Sequence, residues 1–225
     1  MGARRFARGL SLVGLLVGTA IGLLAVAAAG AMASAHVHES RRLLDEARLG
    51  QDLRMAVDVV ARDLRRAGHW GAAASGLRDD GGPAAFANPY SQVASAPGGS
   101  DGLLFRFSRD AVENQVVDTN EHAGFRLRGG VLEAQLGENN WQALTDAGTL
   151  VVTAFAVEPR SDEIGLARFC TAACAAGSAS CPPRQLVRSV GFSISAQSAR
   201  DPRVSRTARG SARLRNDVVV GNCEG

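Results

Sequence analysis

The sequence predicts an α+β fold: one long N-terminal helix, apolar in its first half and amphipathic in its second, packed on an antiparallel β-sheet. Three observations predict it. Residues 10–35 carry no charge. Residues 39–67 contain no proline and repeat apolar positions with helical spacing. From residue 103 onward, short runs rich in Val, Phe and Ile alternate with glycine- and asparagine-containing turns. A helix followed by strands joined through tight turns is an α+β pattern.

The N-terminal elements come first. Arg4, Arg5 and Arg8 precede Gly9, and the uncharged run starts at Leu10. A secretory h-region is about 7–15 residues and a spanning helix needs roughly 20. Residues 10–35 therefore read as the transmembrane half of a helix, with the arginines holding its N-terminus in the cytoplasm. A rival reading stays open, because Ala33-Ser34-Ala35 has the A-x-A form of a signal-peptidase site. It would make the chain an exported periplasmic binding protein, cut after Ala35.

Residues 36–68 form the amphipathic half. Leu43, Ala47, Gly50, Leu53, Val57, Val60 and Leu64 make one apolar stripe. Arg65 and Arg66 fall in the last turn and Gly68 supplies the stop. A single helix over residues 10–67 would be roughly 85 Å long at about 1.5 Å per residue. That is too long for the core of one small domain.

Residues 69–102 are rich in Gly, Ala, Ser and Pro and read as a loop region, punctuated by Gly81-Gly82-Pro83 and Pro97-Gly98-Gly99. Residues 103–225 form the antiparallel sheet domain, with a cysteine-containing loop. Strands are expected at 103–107, 125–128, 131–136, 141–144 and 149–158, where Pro159 should end the run. Two more follow at 186–197 and 204–216. Gly129-Gly130 is a two-residue hairpin signal. In the last run Arg203, Ser205, Thr207, Arg209, Ser211, Arg213 and Arg215 share one face. Val204, Ala208, Gly210, Ala212 and Leu214 share the other, interrupted by Arg206.

Composition limits the function. All 25 basic residues are arginine, set against 22 acids, and the net charge of +3 equals the three leader arginines. The rest of the chain is balanced, so a general nucleic-acid binder is not indicated. The arginine face of the last strand also lacks interleaved aromatics for base stacking, and reads as a solvated sheet face.

Cys170, Cys174, Cys181 and Cys223 lie together near the C-terminus. Their spacing is not that of a zinc ribbon and no histidine is close by, so disulfides are expected and no metal. Three full pairings are possible. If Cys170 does not bridge Cys174, Cys223 should tie the C-terminus to this loop. His36 and His38 sit two apart and share no helix face, while His69 reads as structural and His122 as part of a polar loop with Glu121. No nucleophile–base set, phosphate loop or carboxylate pair is present, so neither an enzyme nor a cofactor is expected.

Two motifs carry a family resemblance. Gly9-Leu10-Ser11-Leu12-Val13-Gly14 is similar to the processing site of type IV prepilins and type II secretion pseudopilins. There, a basic leader ends in glycine and an uncharged helix follows. The segment Ala61-Arg62-Asp63-Leu64-Arg65-Arg66-Ala67-Gly68-His69-Trp70-Gly71 resembles a recurring segment of PilW-type minor pilins, and it stands at the expected separation. The pieces NNWQALTD and RLRN also look like parts of PilW-type and J-type proteins.

The resemblance implies a pilin-like fold in which residues 1–9 are a leader peptide. A prepilin peptidase would cut between Gly9 and Leu10 and methylate the new amine of Leu10. It also implies a single-pass subunit of the inner membrane, N-terminus cytoplasmic, that later enters a pilus. Its globular domain would then be periplasmic or extracellular. The expected partners are other minor pilins and the major pilin, and the expected function is priming of pilus assembly near the filament tip. A minor pseudopilin of type II secretion is the alternative within this class. One position departs from the pattern: Gly14 stands where the family usually has a glutamate that pairs with a neighbour's N-terminal amine.

Overall fold

The computed structural model describes residues 11–76, 86–96, 101–178 and 180–224. The chain divides into two compact units, Met1–Asp45 and Glu46–Gly225. One helix, α1 (Leu12–Leu64), contributes to both.

In the first unit, every described side chain from Ser11 to Leu44 is exposed. The most apolar window of α1 has a mean hydropathy of 2.4 and none of it is buried. By length and composition this helix can cross a bilayer. Two side-chain hydroxyls in its apolar half are already satisfied. Thr19 Oγ1 donates to the Leu16 carbonyl at 2.9 Å and Ser34 Oγ to that of Ala31 at 2.8 Å. Neither leaves an unmet polar group toward an apolar medium.

The second unit holds two antiparallel sheets rather than the single sheet expected. The first is ordered β1 (Val93–Ser95), β2 (Gly102–Arg106), β3 (His122–Arg128), β4 (Val131–Leu136) and β5 (Trp141–Ala143). The second runs β6 (Leu150–Gly165), β7 (Arg184–Ser198) and β8 (Ser205–Arg213), with β9 (Val218–Val220) also paired to β7. The turn between β3 and β4 is Gly129-Gly130, both at positive φ (58° and 79°), and it brings Arg128 opposite Val131. Glycine adopts that pair of conformations without strain, as few other residues do.

Both sheets and the end of α1 share one core. The buried stripe of the helix is Leu49, Leu53, Ala56, Val60, Ala61 and Leu64. It packs with Leu103, Phe105 and Phe125 of the first sheet and with Phe155, Val190 and Ile194 of the second. Burying a side chain of this size stabilises by about 1.5–3 kcal/mol, so the stripe fixes the helix end firmly. Leu43 and Ala47, expected on this face, are exposed. The core begins only at Leu49, and apolar spacing extends beyond the surface available to cover it.

Four further details differ from the sequence reading. The α-helix ends at Leu64, and residues 65–68 close it as tight turns through Arg66 N–H to Asp63 and Ala67 N–H to Leu64. Strand β6 runs through Pro159, which lies opposite Val190. It is the outer strand of its sheet, where a residue lacking an N–H can face its nitrogen away from the neighbour. Strand β1 forms inside the expected loop, and β9 was not expected; each has only three residues. Arg206, which interrupts the dry face of β8, reaches Glu46 of α1 at 3.1 Å. The interruption is therefore a strand-to-helix ion pair.

Candidate functional site: membrane helix and helix-to-sheet junction

Gly9 and Leu10 lie outside the described residues, and so do Gly81-Gly82-Pro83 and Pro97-Gly98-Gly99. Gly14 lies on α1, where an added Cβ would meet nothing within 4 Å. Packing inside this chain does not dictate glycine there. A feature missed in the sequence is that Gly14, Gly18 and Gly22 stand four apart, and a Cβ at each would also point into open space. On a helix this spacing makes one smooth stripe, against which a second helix backbone can approach closely.

The motif after the helix builds a junction. Gly68 has φ +77° and its N–H donates to the Arg106 carbonyl at 2.9 Å. The Gly68 carbonyl accepts from the side-chain amides of Asn88 and Asn216, each at 2.9 Å. The neighbouring Ala67 carbonyl accepts from Arg215 N–H at 3.0 Å. Helix end, β2, the segment before β1 and the segment after β8 thus meet on two residues. Trp70 is 3 % exposed and Ala67 is fully buried, so the junction is also part of the packed interior. His69 contributes through its backbone, its carbonyl accepting from Ser108 N–H at 2.9 Å.

Next to it lies a polar pair that the sequence does not announce. Tyr90 is fully buried, and its hydroxyl donates to Glu113 Oε1 at 3.0 Å. Glu113 Oε2 accepts from Gly71 N–H at 3.0 Å. Burial, and then the bond to Glu113, push the Tyr90 phenol well above its ordinary value, so it remains a donor. For Glu113 burial acts upward, but bonds from Ser108, Gly71 N–H, Tyr90 and Gln115 N–H outweigh it and hold the carboxyl below the ordinary range. A depressed carboxyl stabilises the fold above its unfolded pKa, near 4.5, and that contribution fades as pH falls through the folded value. Glu113→Gln is accordingly expected to flatten the acid limb of stability. Urea midpoints of both proteins, taken from neutral pH into acid, measure it; parallel curves contradict the assignment.

A fully buried carboxylate, Glu121, accepts from Arg109 N–H at 2.7 Å and Asp118 N–H at 2.8 Å. It lies directly before β3, where the sequence suggested a polar loop shared with His122. His122 instead opens β3, opposite Arg106.

The cysteines pair as Cys170–Cys223 and Cys174–Cys181. The C-terminal residues are also fixed by Asn222 N–H to the Ser180 carbonyl and by Ala175 N–H to Glu224. On the arginine face of β8, Arg203 pairs with Asp201 at 3.0 Å and Arg213 with Asp217 at 2.5 Å. Two of the four arginines there are thereby neutralised. Among the described residues no cluster of three or more His, Cys, Asp or Glu is placed to hold a metal ion. What these groups can do chemically is donate, accept and pair: the site organises chain segments.

A family model described as prepilin peptidase-dependent protein B matches residues 42–214. No curated protein and no solved structure matches the chain.

Proposed function

The chain belongs to the prepilin peptidase-dependent protein B family, and from that membership we propose that it is a minor pilin of the PilW type, helping to prime assembly of a type IV pilus. The observation that carries the reading is an apolar helix, able to span a bilayer, that continues without a break into the core of a sheet domain. A removable signal would have no reason to be continuous with the core. The role is structural rather than catalytic: the helix anchors the subunit in the inner membrane and then packs among the helices of other minor pilins and the major pilin.

Processing by the prepilin peptidase accords with the family's description. In this reading it cuts after Gly9, and Leu10 becomes the methylated first residue. Gly14 then bears on position in the filament. A carboxylate in an apolar bundle is costly unless paired, and here there is none to meet the amine of a subunit above. The subunit suits the tip, where nothing lies above it. The stripe of Gly14, Gly18 and Gly22 supports close helix packing below.

Mass spectrometry of the membrane-extracted protein tests this. The mature chain is expected to begin at N-methylated Leu10, and to keep residues 1–9 in cells lacking the prepilin peptidase. A chain beginning at His36 overturns the reading in favour of an exported protein. Crosslinks distributed evenly along the shaft remove the tip assignment while leaving the pilin reading intact.

A further inference from the structure

The second sheet outruns the first. Beyond Val157 every residue of β6 is exposed, while in β7 opposite it Arg184 is exposed and residues 185–189 are only half-buried. At this step lies a cleft of about 420 Å³, walled by Ser91, Gln92 and Val93 on one side and by Pro159–Ser161 of β6 on the other. Both walls are outer strands. β1 pairs only with β2, and β6 only with β7, among the described residues.

The chemistry of the cleft is one-sided. Its lining includes Arg160 and Arg188 and no carboxylate. Arg160 is held at the rim by Glu158, at 2.9 Å. Arg188 is held inside: its Nη1 donates to the Ser91 carbonyl and its Nη2 to the Asn216 carbonyl. Its Nε is buried and has no hydrogen-bond partner among the described residues. Asp217, whose charge Arg188 feels, is already engaged by Gln185 at 2.6 Å and Arg213 at 2.5 Å. A buried guanidinium N–H without an acceptor is destabilising until one arrives, more so when charged.

We propose that this cleft captures an extended, carboxylate-bearing segment of another protein, which adds as a strand to the open edge of β1 and places its carboxylate on Arg188. An open strand edge supplies main-chain partners, and alternate side chains of the entering segment then face opposite walls. Val93 and Pro159 give the segment apolar contacts above the buried Val190 and Leu214, which a lone anion would not use. The volume lies within the range of about 300–1,000 Å³ usual for small binding sites. The cleft belongs to the globular unit, so its capture of a peptide can be measured independently of where the helix ends up.

The test uses the full chain in detergent micelles with a benzophenone amino acid in place of the exposed Gln92. The probes are a heptapeptide alternating valine and glutamate and its counterpart with glutamine. The glutamate peptide is expected to photolabel the chain at least tenfold more than the glutamine peptide, and Arg188→Gln should remove that preference. Because Arg188 also ties local segments, Ser161→Glu serves as a second variant: it adds a negative charge on the exposed β6 wall and should weaken labelling similarly without altering the melting profile. Equal labelling by the two peptides, no labelling, or labelling unchanged by Ser161→Glu overturns the proposal. So does full competition by free acetate, which would mean an anion site only. An adduct joining two copies of the chain as efficiently as chain to peptide assigns the face to self-association and overturns it too.

Discussion

The Cys170→Ser/Cys223→Ser variant is expected to lose about 4 kcal/mol of unfolding free energy. This bridge joins residues 53 apart, and in the chain-entropy account a closure of that length restrains the unfolded chain by about 4 kcal/mol. The Cys174–Cys181 bridge spans only 7 residues, and its removal should cost about 2 kcal/mol on the same basis. The native state adds to the difference. Cys223 holds the C-terminal end just beyond β9, whose three residues pair with Arg184, Gln185 and Leu186 of β7. A three-residue strand has little hold of its own, so the last segment should also become the first point of proteolysis. Denaturant unfolding followed by tryptophan fluorescence measures the two losses. Equal losses for the two bridges would mean that loop length is not what governs them.

Much of this architecture is legible in the chain because several elements carry short-range signals. The helix is marked by its spacing and by Gly68, the β3–β4 hairpin by two adjacent glycines, and β8 by an alternation that only Arg206 interrupts. The alternation holds at Val204, Ala212 and Leu214, which are buried, and at Arg209 and Arg213, which are exposed, and fails at Arg206. What was not legible depends on long-range partners. Pro159 stops a strand only where its missing N–H faces a neighbour, and nothing local says that β6 is an outer strand. β1 and β9 are too short to show a period, and each exists because a longer strand lies beside it. The division into two sheets follows from which strands pair, which no window of sequence contains.

The functional residues divide along the same line. Gly9, Leu10 and Gly14, the residues of the proposed processing and bundle packing, could be named because that proposal rests on a linear motif. The Tyr90–Glu113 bond joins residues 23 apart across a loop, and neither is unusual in its own neighbourhood. Arg188 looks like one more exposed arginine of a partly alternating strand. Only the approach of Ser91 and Asn216, from 97 and 28 residues away, makes it an interior group. Gly68 stands between: its conformation could be anticipated as a helix stop, but its three partners, Arg106, Asn88 and Asn216, could not.

Those partners make Gly68→Ala the most damaging single substitution of a glycine at the helix end. An alanine there must hold φ near +77°, in the left-handed region, which costs about 1–2 kcal/mol for a residue with a Cβ. Its Cβ would also stand 2.8 Å from the Arg215 carbonyl, a backbone atom that Arg215 N–H ties to Ala67 through a 3.0 Å bond. Relief requires moving either the helix end or the segment after β8, and either motion stretches the bonds to Arg106, Asn88 and Asn216. The expected loss is about 2–4 kcal/mol in all, strain and broken hydrogen bonds together. Gly165→Ala is the matched control: it lies in β6, and its Cβ would meet nothing within 4 Å. That change should stay within about 0.5 kcal/mol of the parent. If the two variants unfold alike, the helix is not locked to the sheets through Gly68. The stripe of Leu53, Val60 and Leu64 would then have to hold the helix end without it.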